Sequence, residues 1–364
     1  VRTGEKILVL PQSTSVQDWV FNLKGNPRVR VFTERGIFSG NATFRKIVEN
    51  NDPLLVAFTR KYGIQTMVQR YGGQHSYIEL RLDKDESCNM DEIVYGDIEA
   101  AFDGVAENYD QHILGNPINT WLRNVSVQIL RQHFHPGSVV VELGCGTGTE
   151  TLDLARHGVT VLACDISGKM LEVLERKSKH ENLQHRVIPV HCKAGEFTES
   201  IRALGFTKID GAYSTYGTIN TEPRLNDLFR GLYDLLKPDG TLILGVWNKY
   251  CVYEILGYIL RAKPSLAVGR FRNPVGIGSS RFCIKSNAYS PISLGKYLNP
   301  LFKRTSVFGV VILLPPSNLT RYLPRGRLFT TFKRLDLCIG RLFPFNRLGD
   351  HFLAIYSPRG RSAK

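Results

Sequence analysis

Apolar and polar positions follow two different periods along this chain. Near the N-terminus the period is two. Residues 28–32 and 77–82 set apolar side chains on alternate positions, as half-buried strands do, and 6–10 is a short apolar strand. Residues 36–44 complete a hairpin with 28–32, and short helices are predicted over 18–23 and 53–62, the first stopped by Asn26 and Pro27. From residue 92 onward the pattern changes. Helical spacing over 97–110, 121–134, 149–157, 169–179 and 225–236 alternates with short apolar runs at 138–141, 159–164, 187–192, 208–214 and 241–247. Strands alternating with helices predict a parallel sheet covered on both faces. The change of period divides the chain into a small mainly-β module over 1–85, a polar linker over 86–91 and an α/β domain over 92–360.

The first strand of that α/β domain ends in Glu142 and runs into a turn with Gly144, Gly146 and Gly148, after which a helix starts. A glycine turn at a helix start presents backbone N–H groups to a nucleotide-like ligand. A dinucleotide fingerprint needs a third glycine at position 149, where this chain has Thr149. The next strand ends in Asp165, placed to accept hydrogen bonds from a ribose diol.

Glu142-Leu-Gly-Cys-Gly-Thr-Gly148 followed by Asp165-Ile-Ser-Gly-Lys-Met-Leu171 resembles the class I S-adenosylmethionine-dependent methyltransferases. The resemblance implies a Rossmann-like sheet of seven strands, the last two (306–314 and 351–357) forming an antiparallel hairpin at one edge. It implies S-adenosylmethionine as cofactor, held by Tyr109, Glu142, Gly144, Cys145, Gly146, Thr147, Gly148, Asp165, Ile166, Met170, Lys193, Ala194 and Ser214. Tyr109 belongs to an A-x-x-Y-D segment ahead of the core, whose Tyr often covers the cofactor in that family. Glu142 is expected to face the amino-acid end of the cofactor, Asp165 its ribose, and Ser214 the transferred methyl group. Lys193 and Ala194 stand where the family commonly carries an acid near the adenine. The helical insertions at 249–299 and 315–350 are expected to cover the substrate. In the second, Leu328, Phe332, Leu335, Ile339 and Leu342 form one helical stripe, expected to pack on the domain.

The N-terminal module, with Asp18-Trp19-x-x-Asn22-Leu23-x-x-Asn26-Pro27, resembles the second half of the deazaflavin-dependent nitroreductase split β-barrel. The early strands and phosphate-gripping segment of that family are absent, so a partial barrel is expected. An oxidoreductase reading would need that module to hold a deazaflavin, and a silent cofactor-binding module is a third reading.

Composition changes this picture in one respect. The 364 residues carry a formal charge of +14, but from Thr241 onward 20 Lys/Arg face 3 Asp/Glu. A basic stretch interleaved with aromatic and aliphatic residues suits an amphiphilic acceptor with an anionic group, or an anionic membrane surface. It carries no stacking motif or recognition helix for nucleic acid. No run approaches the roughly 20 apolar residues of a membrane span. Seven cysteines without paired spacing read as reduced thiols in a cytoplasmic protein. Val1 as first residue points to a fragment or an alternative start codon. Neither a metal cluster nor a Ser/His/Asp arrangement stands out. A general base, where one is needed, has Tyr109, His112, Tyr216 and His351 as candidates, with no spacing that selects among them. Oligomeric state is not legible.

Overall fold

A computed structural model describes residues 2–3, 6–9, 28–33, 36–46, 76–84, 90–272, 275–277 and 284–360. It divides into two compact units, Val1–Ile93 and Val94–Lys364. The described part of the first unit is a five-stranded antiparallel sheet. Its strands are β1 (Arg2–Thr3), β2 (Lys6–Val9), β3 (Arg28–Thr33), β4 (Gly36–Lys46) and β5 (Ser76–Lys84), in the order β1-β2-β5-β4-β3. The hairpin pairs Arg28 with Asn41 and Thr33 with Gly36. Midway along central β5, Ile78 and Leu80 are buried on one face and Glu79 on the other. Arg81 pairs with the Glu79 carboxylate at 3.1 Å. The predicted helices 18–23 and 53–62 and the Asp18–Pro27 motif lie outside the described residues.

The chain continues through α1 (Met90–Asp103), α2 (Tyr109–Leu114) and α3 (Pro117–His133). The helix expected over 97–110 is thus two, separated at Gly104 and Val105. Next come β6 (Val139–Leu143), α4 (Thr149–Arg156), β7 (Thr160–Asp165), α5 (Gly168–His180) and β8 (Val187–His191). They lead into α6 (Phe197–Ala203), β9 (Ile209–Ser214), α7 (Thr218–Thr221), α8 (Leu225–Leu235) and β10 (Leu236–Trp247). The first insertion contains α9 (Val252–Ile259), α10 (Pro264–Ala267), a two-stranded ribbon of β11 (Val275–Ile277) and β12 (Ile284–Ser286), and α11 (Pro291–Leu298). The unit closes with β13 (Phe302–Val310), α12 (Arg327–Ile339) and β14 (His351–Pro358).

The seven main strands lie in the order β13-β14-β10-β9-β6-β7-β8. Only β14 runs against the others, pairing antiparallel with both β10 and β13. The glycine-turn strand β6 is interior, between β9 and β7. Successive side chains on these strands enter opposite core layers. Val140, Val161 and Tyr213 pack with Ile118, Leu122 and Leu152 of α3 and α4. Val141, Leu162 and Ala212 pack with Phe197, Leu228 and Leu232 of α6 and α8. Burial on both faces explains why these strands read as continuous apolar runs.

Two further elements depart from the sequence reading. The sixth main strand ends at Val310, four residues early, because the backbone N–H groups of Val311, Ile312 and Leu313 donate to the Asp336 carboxylate at 2.7–2.8 Å. Val311 there has φ +59°, which takes it out of the ladder. The side chain responsible sits on α12, and no local pattern announces it. The predicted stripe on α12 is also split. Phe332, with Phe329 and Leu337, packs inward. Leu328, Leu335 and, beyond the helix, Leu342 face outward. Placing the buried Asp336 against the strand end turns the helix away from the face its leucines define.

Candidate functional site

The glycine turn builds one wall of the site. Gly144 has φ +73°, and a Cβ there would collide with the Thr218 side chain. Gly148, φ +82°, is pressed against Leu174, so no larger residue fits between turn and α5. Both glycines are therefore required by close approach as well as by conformation. Asp165 ends β7 with its carboxylate held by the N–H groups of Gly146 at 2.7 Å and Ser167 at 2.8 Å. Burial pushes this carboxyl upward, and the backbone donors oppose the shift.

The segment ahead of the core closes over the turn. Asp110 accepts from the Thr147 hydroxyl at 2.6 Å and forms an ion pair with Lys177. That contact brings the Tyr109 ring beside Gly146, where a Cβ would lie 3.8 Å from Tyr109 Cε1. Tyr109 also packs edge-on with Phe102 and against Met170.

A continuous cavity of about 670 Å³ opens beside these groups. Of the residues singled out from sequence, Tyr109, Gly144, Gly146, Asp165, Ile166, Met170 and Ala194 line it. Six are placed elsewhere. Glu142 lies beneath the turn, taking the Tyr213 hydroxyl at 2.8 Å and the Thr151 hydroxyl on the same carboxylate oxygen. Burial, with Glu150 beside it, pushes the Glu142 carboxyl up to about 8. Expected to face the ligand, Glu142 instead braces the strand end, since these two hydroxyls draw it into the core. The Ser214 hydroxyl donates to the Leu143 carbonyl at 2.9 Å. Lys193 sits over the Tyr95 ring and beside Glu196. Cys145 and Gly148 support the turn from behind, and Thr147 is occupied by Asp110.

Apart from Tyr216 and Asn220, which follow the fourth main strand in the segment expected to floor the site, the far end of the cavity was not legible from local motifs. Its walls are Leu122 and Arg123 of α3, Tyr216 and Asn220 after β9, Trp247, and His351 at the start of β14, whereas Glu222 accepts from the Tyr95 hydroxyl beside Gly195. Glu254, Tyr258, Leu266, Arg270 and Ser286 of the first insertion and Ser317 and Asn318 of the second complete it. Both insertions therefore reach the cavity. Arg123 is mostly but not fully buried, ion-paired with Glu150, and lies 5.5 Å from the Tyr216 ring centroid. Arg270 is the centre of the insertion. It binds Asp350 at 2.5 Å and the Glu254 carboxylate, and its guanidinium lies 4.6 Å from the centroid of Trp247. Asp350, Glu254 and Cys251 cluster closely enough to hold a cation, but the guanidinium already fills that role. A sequence signal existed for the charged members: Glu254, Asp336 and Asp350 are the only acids after Thr241, and each is an isolated acid in a basic stretch. Of the four candidate bases, Tyr109, Tyr216 and His351 line the cavity, and His112 is exposed away from it.

Residues 140–240 match the family model described as methyltransferase domain. The chain is 31% identical over 157 residues to the demethylmenaquinone methyltransferase of Beutenbergia cavernae, covering 42% of this chain and 58% of that protein. It is 27% identical over 191 residues to the demethylmenaquinone methyltransferase of Streptomyces avermitilis, covering 49% and 74% respectively. The chain thus spans little more than half of the Beutenbergia relative. The structure of the CcbJ methyltransferase from Streptomyces caelestis aligns with a TM-score of 0.44 at 16% identity, covering 70% of this chain and 96% of that one.

Proposed function

We propose that this protein transfers a methyl group from S-adenosylmethionine to a small-molecule or amphiphilic acceptor bound at the far end of the cavity. The observation that carries this reading is the continuity of the space between Asp165 and the Tyr216–His351 wall. The cofactor end fits the group: a carboxylate for a ribose diol stands beside apolar Ile166, Met170 and Ala194, next to a turn that admits close backbone approach. When bound, S-adenosylmethionine supplies a methyl group already activated on a sulfonium. What remains for the chain is to exclude water and align an acceptor. Tyr109, latched through Asp110, would close the near side; the insertions would close the far one.

The chamber walls favour an apolar body, with Leu122, Trp247, Tyr258 and Leu266 facing the space. Two matched relatives are named for demethylmenaquinone, and an apolar acceptor of that kind suits these walls. The surface beside them supports delivery from an anionic lipid interface. Leu256, Ile259 and Leu260 of α9 and its end are exposed, Leu260 to 85%, with Arg261 and Lys263 alongside. Apolar side chains ringed by cations fit the interfacial region of such a membrane. Among the described residues no helix is long and apolar enough to cross one.

The test is incubation of the protein with a metabolite extract and isotopically labelled methyl donor, followed by mass spectrometry, with calorimetry of S-adenosylhomocysteine in parallel. A labelled product and measurable binding are expected. Binding without product across extracts would favour a silent cofactor-binding module, and absence of binding would overturn the cofactor assignment.

A further inference from the structure

His351 lines the acceptor end of the cavity with one ring nitrogen already committed. Its Nδ1 lies 3.0 Å from Asp350 Oδ2. Asp350 is buried, and burial alone would neutralise it, but the charge of Arg270 and the hydrogen bonds from Arg270 and His351 outweigh that and hold its carboxyl below the usual range. A carboxylate only accepts, so Nδ1 must donate, which leaves Nε2 as the unprotonated acceptor of the neutral ring. No hydrogen-bond partner of Nε2 occurs among the described residues. The ring is fixed from the other side by an edge-on contact with Tyr216, at 5.7 Å between centroids.

Tyr216 is itself held hard. Its hydroxyl is 2.5 Å from Ser126 Oγ, and its backbone sits at φ +55°, a conformation a bulky residue adopts only when its surroundings impose it. It follows β9 by two residues, at the strand end expected to face the transferred methyl. The groups facing His351 are thus Asp350 and, behind it, Arg270 and Glu254, with Tyr216 and, across its ring, Arg123.

We infer that His351 Nε2 is the general base of the methyl transfer, with Asp350 and Tyr216 as positioning residues, and that the acceptor carries an ionisable X–H group. This rests on the methyl-transfer reading above. In the step, Nε2 takes the proton of X–H and the bonding pair stays on X. That pair forms the new bond to the methyl carbon while the carbon–sulfur pair passes to sulfur and discharges the sulfonium. The proton then leaves the imidazolium for solvent.

Two measurements separate this inference from its parent. The first needs no substrate: nitrogen NMR of the histidine-labelled protein, with the His351 signals assigned by their loss in His351→Gln. A neutral ring protonated at Nδ1 is expected, and an Nε2–H tautomer would overturn the base. The second uses whatever labelled product the metabolite extract yields. His351→Gln should lower its rate of formation by about 100-fold or more, within the usual range for a lost general base, and remove the decline of the wild-type rate at acidic pH. Binding of S-adenosylhomocysteine should stay within twofold. Tyr216→Phe, which keeps the ring but frees it from Ser126, should lower kcat more than it raises KM. An unchanged rate and pH profile in His351→Gln defeats the base alone. Failure to bind S-adenosylhomocysteine in the wild type defeats the methyl-transfer reading and leaves the tautomer measurement to decide the ring.

Discussion

The two ends of the cavity are built in opposite ways. The Asp165 end is made of consecutive backbone: a turn, a helix start and a carboxylate tied to N–H groups 19 and 2 residues away. At the His351 end, side chains meet that are far apart in sequence, such as Arg270 and Asp350 at a separation of 80 or Ser126 and Tyr216 at 90. A site made of local backbone keeps its geometry as long as one supersecondary unit folds. A site made of long-range ion pairs depends on the whole insertion being seated. The first suits a part whose ligand is fixed, and the second a part whose shape can be rebuilt by exchanging a few contacts.

The largest test of this contrast is Arg270→Met. It strands two carboxylates, and removing one partner of a buried ion pair typically costs about 3–5 kcal/mol. Hydrogen exchange should show the amides of residues 249–272 losing protection while those of 139–165 keep it. Equal loss in both regions would mean the two ends are one cooperative unit.

Glu142→Gln probes the other end. A carboxyl whose folded pKa is raised to about 8 stays protonated in the native state after the unfolded chain has ionised. Its contribution is therefore full at low pH and declines as pH rises from about 5 to about 8. The Gln variant lacks that decline, so its stability relative to wild type should improve with pH by up to about 1.4 kcal/mol per unit. Denaturant melts at pH 5, 6.5 and 8 measure this, and a constant difference would mean Glu142 is ionised in the native state.

Asp165→Ala removes a carboxylate able to accept two hydrogen bonds, each worth on the order of 1.5–3 kcal/mol. Affinity for S-adenosylhomocysteine should fall at least tenfold by calorimetry, and an unchanged constant would remove Asp165 from the site. The smallest expected effect is at the surface. Arg334→Glu and Arg341→Glu should each weaken association with anionic vesicles severalfold at low salt, with little difference at high salt or on neutral vesicles. Insensitivity to both charge reversal and salt would make the basic face a solvated surface only.

This contrast also marks what the sequence could disclose. The main strands, the glycine turn and the acid at Asp165 were legible because period, glycine spacing and a strand-end acid are local signals. The edge hairpin followed only from the family resemblance, and the full strand order had no signal of its own. Glu142 was misplaced for a physical reason: the Tyr213 and Thr151 hydroxyls that turn it inward come from other elements. Cys192 and Arg123, which both line the cavity, went unnoticed, one at a strand end read for its missing acid, the other a charge on a largely apolar helix face. The end of β13 depended on Asp336, 25 residues from Val311. His351 was one candidate among four until the fold put Asp350 behind it and Tyr216 beside it.

The fate of the three late acids has a consequence for regulation. Past Thr241, Glu254, Asp336 and Asp350 all turn inward, and the only histidine there is His351. The outer face of that region is left with lysine and arginine, which keep their charge far into the alkaline range. Mild acidification would leave its potential unaltered. Ionic strength, or covalent modification that adds negative charge or masks a lysine, is then the means by which attraction to an anionic partner can be turned down.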